Sequence, residues 1–467
     1  MKNIRQTAPM ERKMRRTLAL IVLVTAPLSS HVSAQCGFVP DFCDYDTDGV
    51  VDANDINAII GAYGTPVDPY TFGDVDGDGV LTVSDAQECA EQCESGDCDI
   101  VDSSKPNILL IIADDLSYDH YGFAGHSTIQ TPSIDALAAQ SVRFPATYVS
   151  SFCRPSLATL LTGLPEHRHG VTYHAGGALG DFPTLAERLQ TAGYSSYQAG
   201  KFFEGSPDSR GFTDFLPYGA IGSFFNIGNV LVGRTTLQPI YDFMAETTSP
   251  WFVWFSPYMP HTPHNAPDEY RTLYEGLGLD AATIEYFAMI SWFDSVVGEL
   301  LQEVSEDTVV IYLSDNGYVQ SAVSEEPEPG SKNASFEHAI RTWLLVRDRS
   351  TAAVEHTELA NAWDVTTTVL SFAGVYHDDL PGQALLAQPL SELPAYGSRS
   401  SLVFQWPAGT FLERWIHVGD WKLIDVEVGD DQLYNLALDP TELINQIDAP
   451  ESAQQHLDLR NELGAVW

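Results

Sequence analysis

Three stretches of the chain are apolar almost without a break and end where polar residues begin. Asn107–Asp115 reads N-I-L-L-I-I-A-D-D, Asp307–Gly317 reads D-T-V-V-I-Y-L-S-D-N-G, and Trp251–Pro260 reads W-F-V-W-F-S-P-Y-M-P. Short unbroken apolar runs predict strands covered on both faces, as parallel strands are. Between them lie helical stretches such as T-P-S-I-D-A-L-A-A-Q-S, Thr131 to Ser141, which opens on a capping threonine. This alternation predicts an α/β sandwich around a central, mostly parallel sheet, with functional residues at the carboxyl ends of the strands. From about Tyr396 the pattern changes. R-W-I-H-V-G-D-W-K-L-I-D and Q-L-Y-N-L-A-L-D-P-T-E-L-I-N predict a small antiparallel sheet followed by a turn and a closing helix.

The first residues follow a different logic. Lys2, Arg5, Arg12, Lys13, Arg15 and Arg16 precede the apolar stretch Leu18–Leu28, and Val32-Ser33-Ala34 stands before Gln35. Residues 1–34 therefore read as an export signal, which implies a secreted or periplasmic protein. No segment reaches the roughly 18 uninterrupted apolar residues of a membrane span. The 23 Lys and Arg against 64 Asp and Glu give a net charge of −41. Such a surface repels nucleic acid and anionic membranes and tolerates salt and calcium. A polyanionic ligand must then be drawn in by local positive charge.

Residues 35–104 contain 17 acids and no Lys or Arg. Two similar loops lie thirty residues apart there, D-Y-D-T-D-G-V-V-D-A-N-D and D-V-D-G-D-G-V-L-T-V-S-D. Asp44, Asp46, Asp48 and Asp55 in the first, and Asp74, Asp76, Asp78 and Asp85 in the second, occupy the acidic positions of a twelve-residue calcium loop. A glycine permits the sharp turn of each, and hard carboxylate oxygens suit Ca²⁺. Aspartate at the last position resembles a dockerin module more than a sensor EF-hand, so residues 36–103 are expected to form a small helical calcium module. That resemblance implies a protein partner, or a module that binds calcium and folds with none. Of six cysteines, Cys36, Cys43, Cys89, Cys93 and Cys98 fall in or beside this segment. Export predicts disulfides among them, in a pairing the spacing leaves open. Cys153 has no neighbour in sequence, which favours a site role.

The strand ends carry the candidate chemistry. Asp114 and Asp115 close one strand, and Asp315 and Asn316 close another. Three carboxylates and an amide make an all-oxygen site for a hard cation, Ca²⁺ first and Mg²⁺ second. Cys153 precedes the helix R-P-S-L-A-T-L-L-T-G, with Pro155 in its first turn. Backbone N–H groups and the positive end of a helix dipole there welcome an anion and are expected to acidify a thiol. Arg154, at the next position, is expected to point away from the site.

Ser150–Gly163, S-S-F-C-R-P-S-L-A-T-L-L-T-G, together with the Asp114–Asp115 strand, resembles the nucleophile segment and metal strand of the sulfatase family, formylglycine type, in the alkaline-phosphatase-like superfamily. The resemblance runs through a core at 105–395 and a C-terminal subdomain at 396–467. Q-A-G-K-F-F-E-G supplies Lys201, M-P-H-T-P supplies His261, and G-S-K-N-A-S-F-E-H-A-I-R supplies Lys332. It implies a sulfuric ester hydrolase whose metal and lysines grip a sulfate, whose substrate is a sulfated glycan or small sulfate ester, and whose cysteine is oxidised to formylglycine. Two positions depart from the pattern. Leu157 replaces the arginine of C-x-P-S-R, and Phe203 replaces the histidine of G-K-x-H. Both missing groups serve the formylglycine in that family, which predicts that Cys153 stays unconverted. Three readings therefore stand: a sulfate-ester hydrolase, a thiol-dependent phosphoesterase, and a sulfate-ester-binding protein without catalysis. An acidic loop, Ser324–Gly330, is expected to restrict entry.

Overall fold

The computed structural model describes Cys43, Tyr45, Val51, Ile59, Leu81 and Cys89, and residues 105–466 apart from 174–176, 217–231, 325–326, 329, 376, 378, 387–394, 401–410 and 428. The export segment 1–34 and the calcium-loop acids Asp44, Asp46, Asp48, Asp55, Asp74, Asp76, Asp78 and Asp85 lie outside these residues, as does much of the acidic loop.

The unbroken apolar runs are the centre of an eight-stranded sheet. Its strands are β1 (Ile108–Ala113), β2 (Val142–Tyr148), β3 (Ser195–Gly200), β4 (Asp214–Phe215), β5 (Trp251–Ser256), β6 (Val309–Ser314), β7 (Arg341–Arg347) and β8 (Ala360–Asn361). They lie in the order β4-β3-β5-β1-β6-β7-β2-β8. β1 runs parallel to both β5 and β6, with Ile108 opposite Phe252 on one side and Val309 on the other. β7 is antiparallel to β6 and β2. Successive side chains leave opposite faces of a strand, so one apolar run serves two cores. Leu109, Ile111, Val253, Phe255, Val310 and Tyr312 pack on one face. Ile108, Leu110, Ile112, Trp254, Ile311 and Leu313 pack on the other. Burial on both sides is why these runs lack the polar alternation of a surface strand.

Helices α1 (Pro132–Ala139) and α2 (Cys153–Thr162) follow the first two strands. Further on come α3 (Leu185–Thr191), α4 (Ala281–Glu303) and α5 (Ala362–Phe372). The capping expectation for Thr131 needs correction. Its side chain makes no cap hydrogen bond; its hydroxyl donates to Asp135 Oδ1 at 2.9 Å instead. The first turn of α1 is capped from another element. Asp294, in the middle of α4, accepts from Ser133 N at 3.1 Å and Ile134 N at 2.8 Å. None of the helices among the described residues is long and apolar enough to cross a membrane.

The second sheet is antiparallel, β12-β11-β10-β9, formed by Ala395–Ser400, Phe411–Val418, Trp421–Val426 and Gln432–Asn435 in chain order from β9. Helix α6 (Ala453–Val466) closes it, with Leu459 and Leu463 buried against Ile416, Leu423 and Leu433. A buried ionic knot joins this sheet to the core. Lys422 of β11 is 3.0 Å from Glu337 Oε1 and 2.8 Å from Glu442 Oε1. Near the N-terminus, Cys43 is disulfide-bonded to Cys89. The two repeats match there: Val51 and Leu81, thirty residues apart, are both buried, and Ile59 and Cys89 are both helical and buried. Among the described residues, Cys153 is the free cysteine.

Candidate active site

Because β1 and β6 are hydrogen-bonded neighbours in register, their carboxyl ends deliver four polar residues to one place. Asp115 N donates to Asp315 Oδ1 at 3.2 Å, and Asp315 N donates to Ala113 O at 2.9 Å. Asn316 Nδ2 donates to Asp115 Oδ1 at 2.7 Å and to Gly317 O at 3.0 Å. With the amide nitrogen committed, Asn316 Oδ1 is left buried without a hydrogen-bond donor, as is Asp114 Oδ1. Buried acceptors without donors are costly, and a cation satisfies them. The donor set is hard oxygen, which fits Ca²⁺ or Mg²⁺.

Loops following β3 and β5, and a segment before β7, bring in the cations. Lys201 follows β3, with Nζ 2.5 Å from Asp114 Oδ2 and 3.9 Å from Asp315 Oδ2. Lys332 Nζ pairs with Asp115 Oδ1. His261, after β5, points Nε2 at Asp115 Oδ2, 3.6 Å away, while its Nδ1 lies 2.7 Å from Thr262 O. That contact assigns the Nδ1 position as the hydrogen donor and turns Nε2 toward the site. Asp114, Cys153 and Asp315 bring ligand atoms within 4.8 Å of one another, and so do Asp114, Asp115 and His261.

Burial opposes charge at Asp115, Asp315 and Lys201, and the neighbours overcome it at two of them and reinforce it at Asp315. Lys332, then His261 and Lys201, hold the Asp115 carboxyl well below the usual carboxylate range despite its burial. Burial and the adjacent Asp114 push Asp315 up. Lys201 is kept strongly basic, against burial, by Asp114, Cys153 and Asp315. Three carboxylates facing two lysines leave the cluster short of positive charge. A divalent cation reverses that sign and makes the site attractive to an anion.

Helix α2 is tied to this cluster at its first turn. Ser156 Oγ donates to Asp315 O at 2.5 Å and accepts from Ser150 N at 2.9 Å. Cys153 is thereby fixed at the helix start, buried. Its thiol is not acidified as the helix terminus suggested: burial pushes it up to about 11, over the opposing pull of Lys201 and Lys332. Desolvation of a thiolate outweighs a helix dipole once the group is out of water.

The two departures are structural as well. Leu157 is 5 % exposed and belongs to the apolar cluster behind β1 and β6, and Phe203 packs against the same cluster. Arg154 is engaged with Glu204 in a two-armed ion pair, 2.7 Å from Nε to Oε1 and 3.1 Å from Nη2 to Oε2. Sequence reasoning missed this pair, and it missed the aromatic faces beside the lysines. The Lys201 Nζ is 5.1 Å from the Tyr258 ring centroid, and the Lys332 Nζ is 5.1 Å from that of Phe152. Position next to a motif residue was the only signal available for any of them.

Known proteins resemble this chain in sequence and in fold. The choline-sulfatase of Rhizobium meliloti (strain 1021) is 26 % identical over 462 residues, covering 78 % of this chain and 87 % of that one. The N-acetylgalactosamine-6-sulfatase of Canis lupus familiaris is 26 % identical over 397 residues, covering 68 % and 73 %. Among solved structures, one in complex with a neocarrahexaose superposes with a TM-score of 0.64 at 22 % identity, over 77 % of this chain and 92 % of that one. The phosphonate monoester hydrolase of Agrobacterium radiobacter gives 0.63 at 20 % identity, over 77 % and 95 %. These superpositions establish the mixed α/β fold with its small second sheet. The family model described as Sulfatase matches residues 106–375, more than half of the chain, and the chain therefore belongs to the sulfatase family, a family of sulfuric ester hydrolases.

Proposed function

We propose that this protein is a secreted hydrolase of sulfate esters carried on glycans. The observation that carries the reading is the convergence of Asp114, Asp115, Asp315 and Asn316 with Lys201, Lys332 and His261 at adjacent strand ends. The unsatisfied oxygens of Asp114 and Asn316 support a divalent cation held by those four residues, Ca²⁺ before Mg²⁺. When bound, it supplies Lewis-acid neutralisation of a sulfate oxygen. Lys201 and Lys332 neutralise the remaining oxygens, and His261, in its doubly protonated form with Nε2 on the site side, donates to the leaving oxygen. The sugar-binding relatives support the substrate class: a structure of similar fold is bound to D-glucosamine-2-N,6-O-disulfate. Local lysines drawing an anion into an otherwise acidic surface fit the charge distribution. The matched burial of Val51 with Leu81 and of Ile59 with Cys89 supports a twofold calcium module of dockerin type ahead of the enzyme. Residues 1–34 would direct export.

Position 153 holds the nucleophile in this reading. The residues around it do not fit a formylglycine at two places, because Leu157 and Phe203 offer no polar atom to it. That observation favours a second reading, a sulfate-ester-binding protein that keeps the grip without turnover. The thiol-dependent phosphoesterase is a third reading, and turnover of a phosphodiester by protein with an unmodified Cys153 would support it. Mass spectrometry of the Cys153 peptide from the native host separates the first two. A peptide about 18 Da lighter shows thiol converted to aldehyde and supports the hydrolase. An unmodified thiol, with sulfate esters bound but not cleaved, supports the binding protein.

A further inference from the structure

Arg234 lies outside the short motifs that carry the site residues, in V-G-R-T-T. It sits in a tight turn closed by a bridge between Val232 and Thr236. Its half-buried guanidinium spends all its donors on one stretch of chain. Nε and Nη2 donate to Tyr258 O at 3.2 and 2.6 Å, and Nη2 also donates to His261 O at 2.7 Å. Nη1 donates to Pro263 O at 2.9 Å and to Asn265 Oδ1 at 2.5 Å. The ring of Trp292, on α4, lies 5.9 Å from the guanidinium carbon.

The gripped stretch, residues 258–265, holds no regular secondary structure beyond a bridge at Pro260. Two of its residues face the site: the Tyr258 ring against Lys201, and His261 Nε2 toward Asp115. Prolines at 257, 260 and 263 remove backbone donors there, so its carbonyls need an outside donor. One planar fork reaching four residues supplies it and fixes their mutual spacing, which a lysine's single ammonium cannot copy.

We propose that Arg234 is a positioning residue: it holds residues 258–265 so that His261 and Tyr258 present themselves to Asp115 and Lys201. The proposal rests on the sulfate-ester reading for its kinetic consequence but not for its structural one.

The test compares wild type with Arg234→Ala and Arg234→Lys in the full chain. On 4-nitrophenyl sulfate, Arg234→Ala is expected to lose kcat by about 10- to 100-fold with KM changed less than about threefold. Millimolar guanidinium ion should restore part of the loss, and Arg234→Lys should fall between. Hydrogen exchange of amides in 258–265 should quicken by about tenfold or more while β1 and β6 keep their protection. If wild type turns over no sulfate ester, the hydrolase reading fails, and exchange with its reversal by guanidinium still judges the clamp. Unchanged exchange at 258–265 in a folded Arg234→Ala overturns the proposal, as does a kcat loss that guanidinium leaves untouched. Should Arg234→Ala not fold, Arg234→Lys carries the same comparison.

Discussion

Replacing Lys422 by methionine removes one charge from a place water does not reach, and the structure sets the size of the effect. Lys422 is fully buried, and Glu337 and Glu442 are 1 % and 7 % exposed. Glu337 also accepts from the Tyr148 hydroxyl at 3.0 Å and lies 3.6 Å from Arg341, and its backbone N–H donates to Glu442 Oε2 at 2.6 Å. Burial opposes the ammonium, yet Glu337 and Glu442 raise its pKa above the ordinary value. Methionine keeps the stem and drops the charge, leaving two carboxylates face to face with Arg341 and His417 beside Glu337. Breaking a buried ion pair from one side costs about 3–5 kcal/mol, a large share of the roughly 5–15 kcal/mol that holds a domain folded. At a urea slope of about 3 kcal/mol per M, the unfolding midpoint should drop by about 1–1.7 M. Followed by tryptophan fluorescence, Lys422→Met should show that drop and Lys422→Arg much less. Adding Glu337→Gln and Glu442→Gln to Lys422→Met should recover most of it. A Lys422→Met midpoint within about 0.3 M of wild type refutes the reasoning, since the knot would then hold nothing that methionine cannot.

Further perturbations test other parts of the molecule. Asp294→Ala uncaps α1 and should cost about 1–2 kcal/mol in the same urea assay. Burial raises the Asp294 pKa from 3.8 to about 6; the folded state thus binds this proton more tightly, so its contribution is full below about pH 4 and is lost as pH rises through 6. Asp294→Asn should flatten that part of the stability–pH curve. Dialysis against a chelator should lower the melting temperature and calcium should restore it, by about 2.7 kcal/mol at a hundredfold excess over Kd; Asp114→Asn should lose the response at the site. Leu157→Arg with Phe203→His restores both departures and should raise the aldehyde fraction at position 153 by mass and raise turnover on 4-nitrophenyl sulfate; no gain in either counts against reading those two positions as the cause.

The strands were legible because a strand buried on both faces has no polar positions to interrupt it: Ile108–Ala113 has none, and Val309–Ser314 has only its closing serine. Asp114, Asp115, Asp315, Asn316 and Cys153 were legible because strand ends and one helix start place them, and local sequence determines both; Lys201, His261 and Lys332 lie on loops and were legible only through the resemblance to family segments. What stayed hidden depends on partners far away in sequence. Asp294 caps a helix 160 residues upstream, Lys422 meets a glutamate 85 residues away, and Arg234 donates to carbonyls 24 to 29 residues on. No local pattern marks such residues. The burial of Cys153 was hidden for a related reason: the helix terminus is written in the sequence, but the side chains that exclude water above it are not.

The pairing of Asp115 with Asp315 through the backbone of two touching strands has a bearing on descent. The carboxylates and amide proposed to hold a cation are built into the centre of the sheet, whereas residues 153, 201, 261 and 332 arrive on four separate connections. Mutation can rewrite position 153 or its neighbours, one connection at a time, without disturbing the carboxylates at the strand ends. In such a scaffold the strand-end carboxylates are inherited with the sheet, and the reactive position is the trait free to drift.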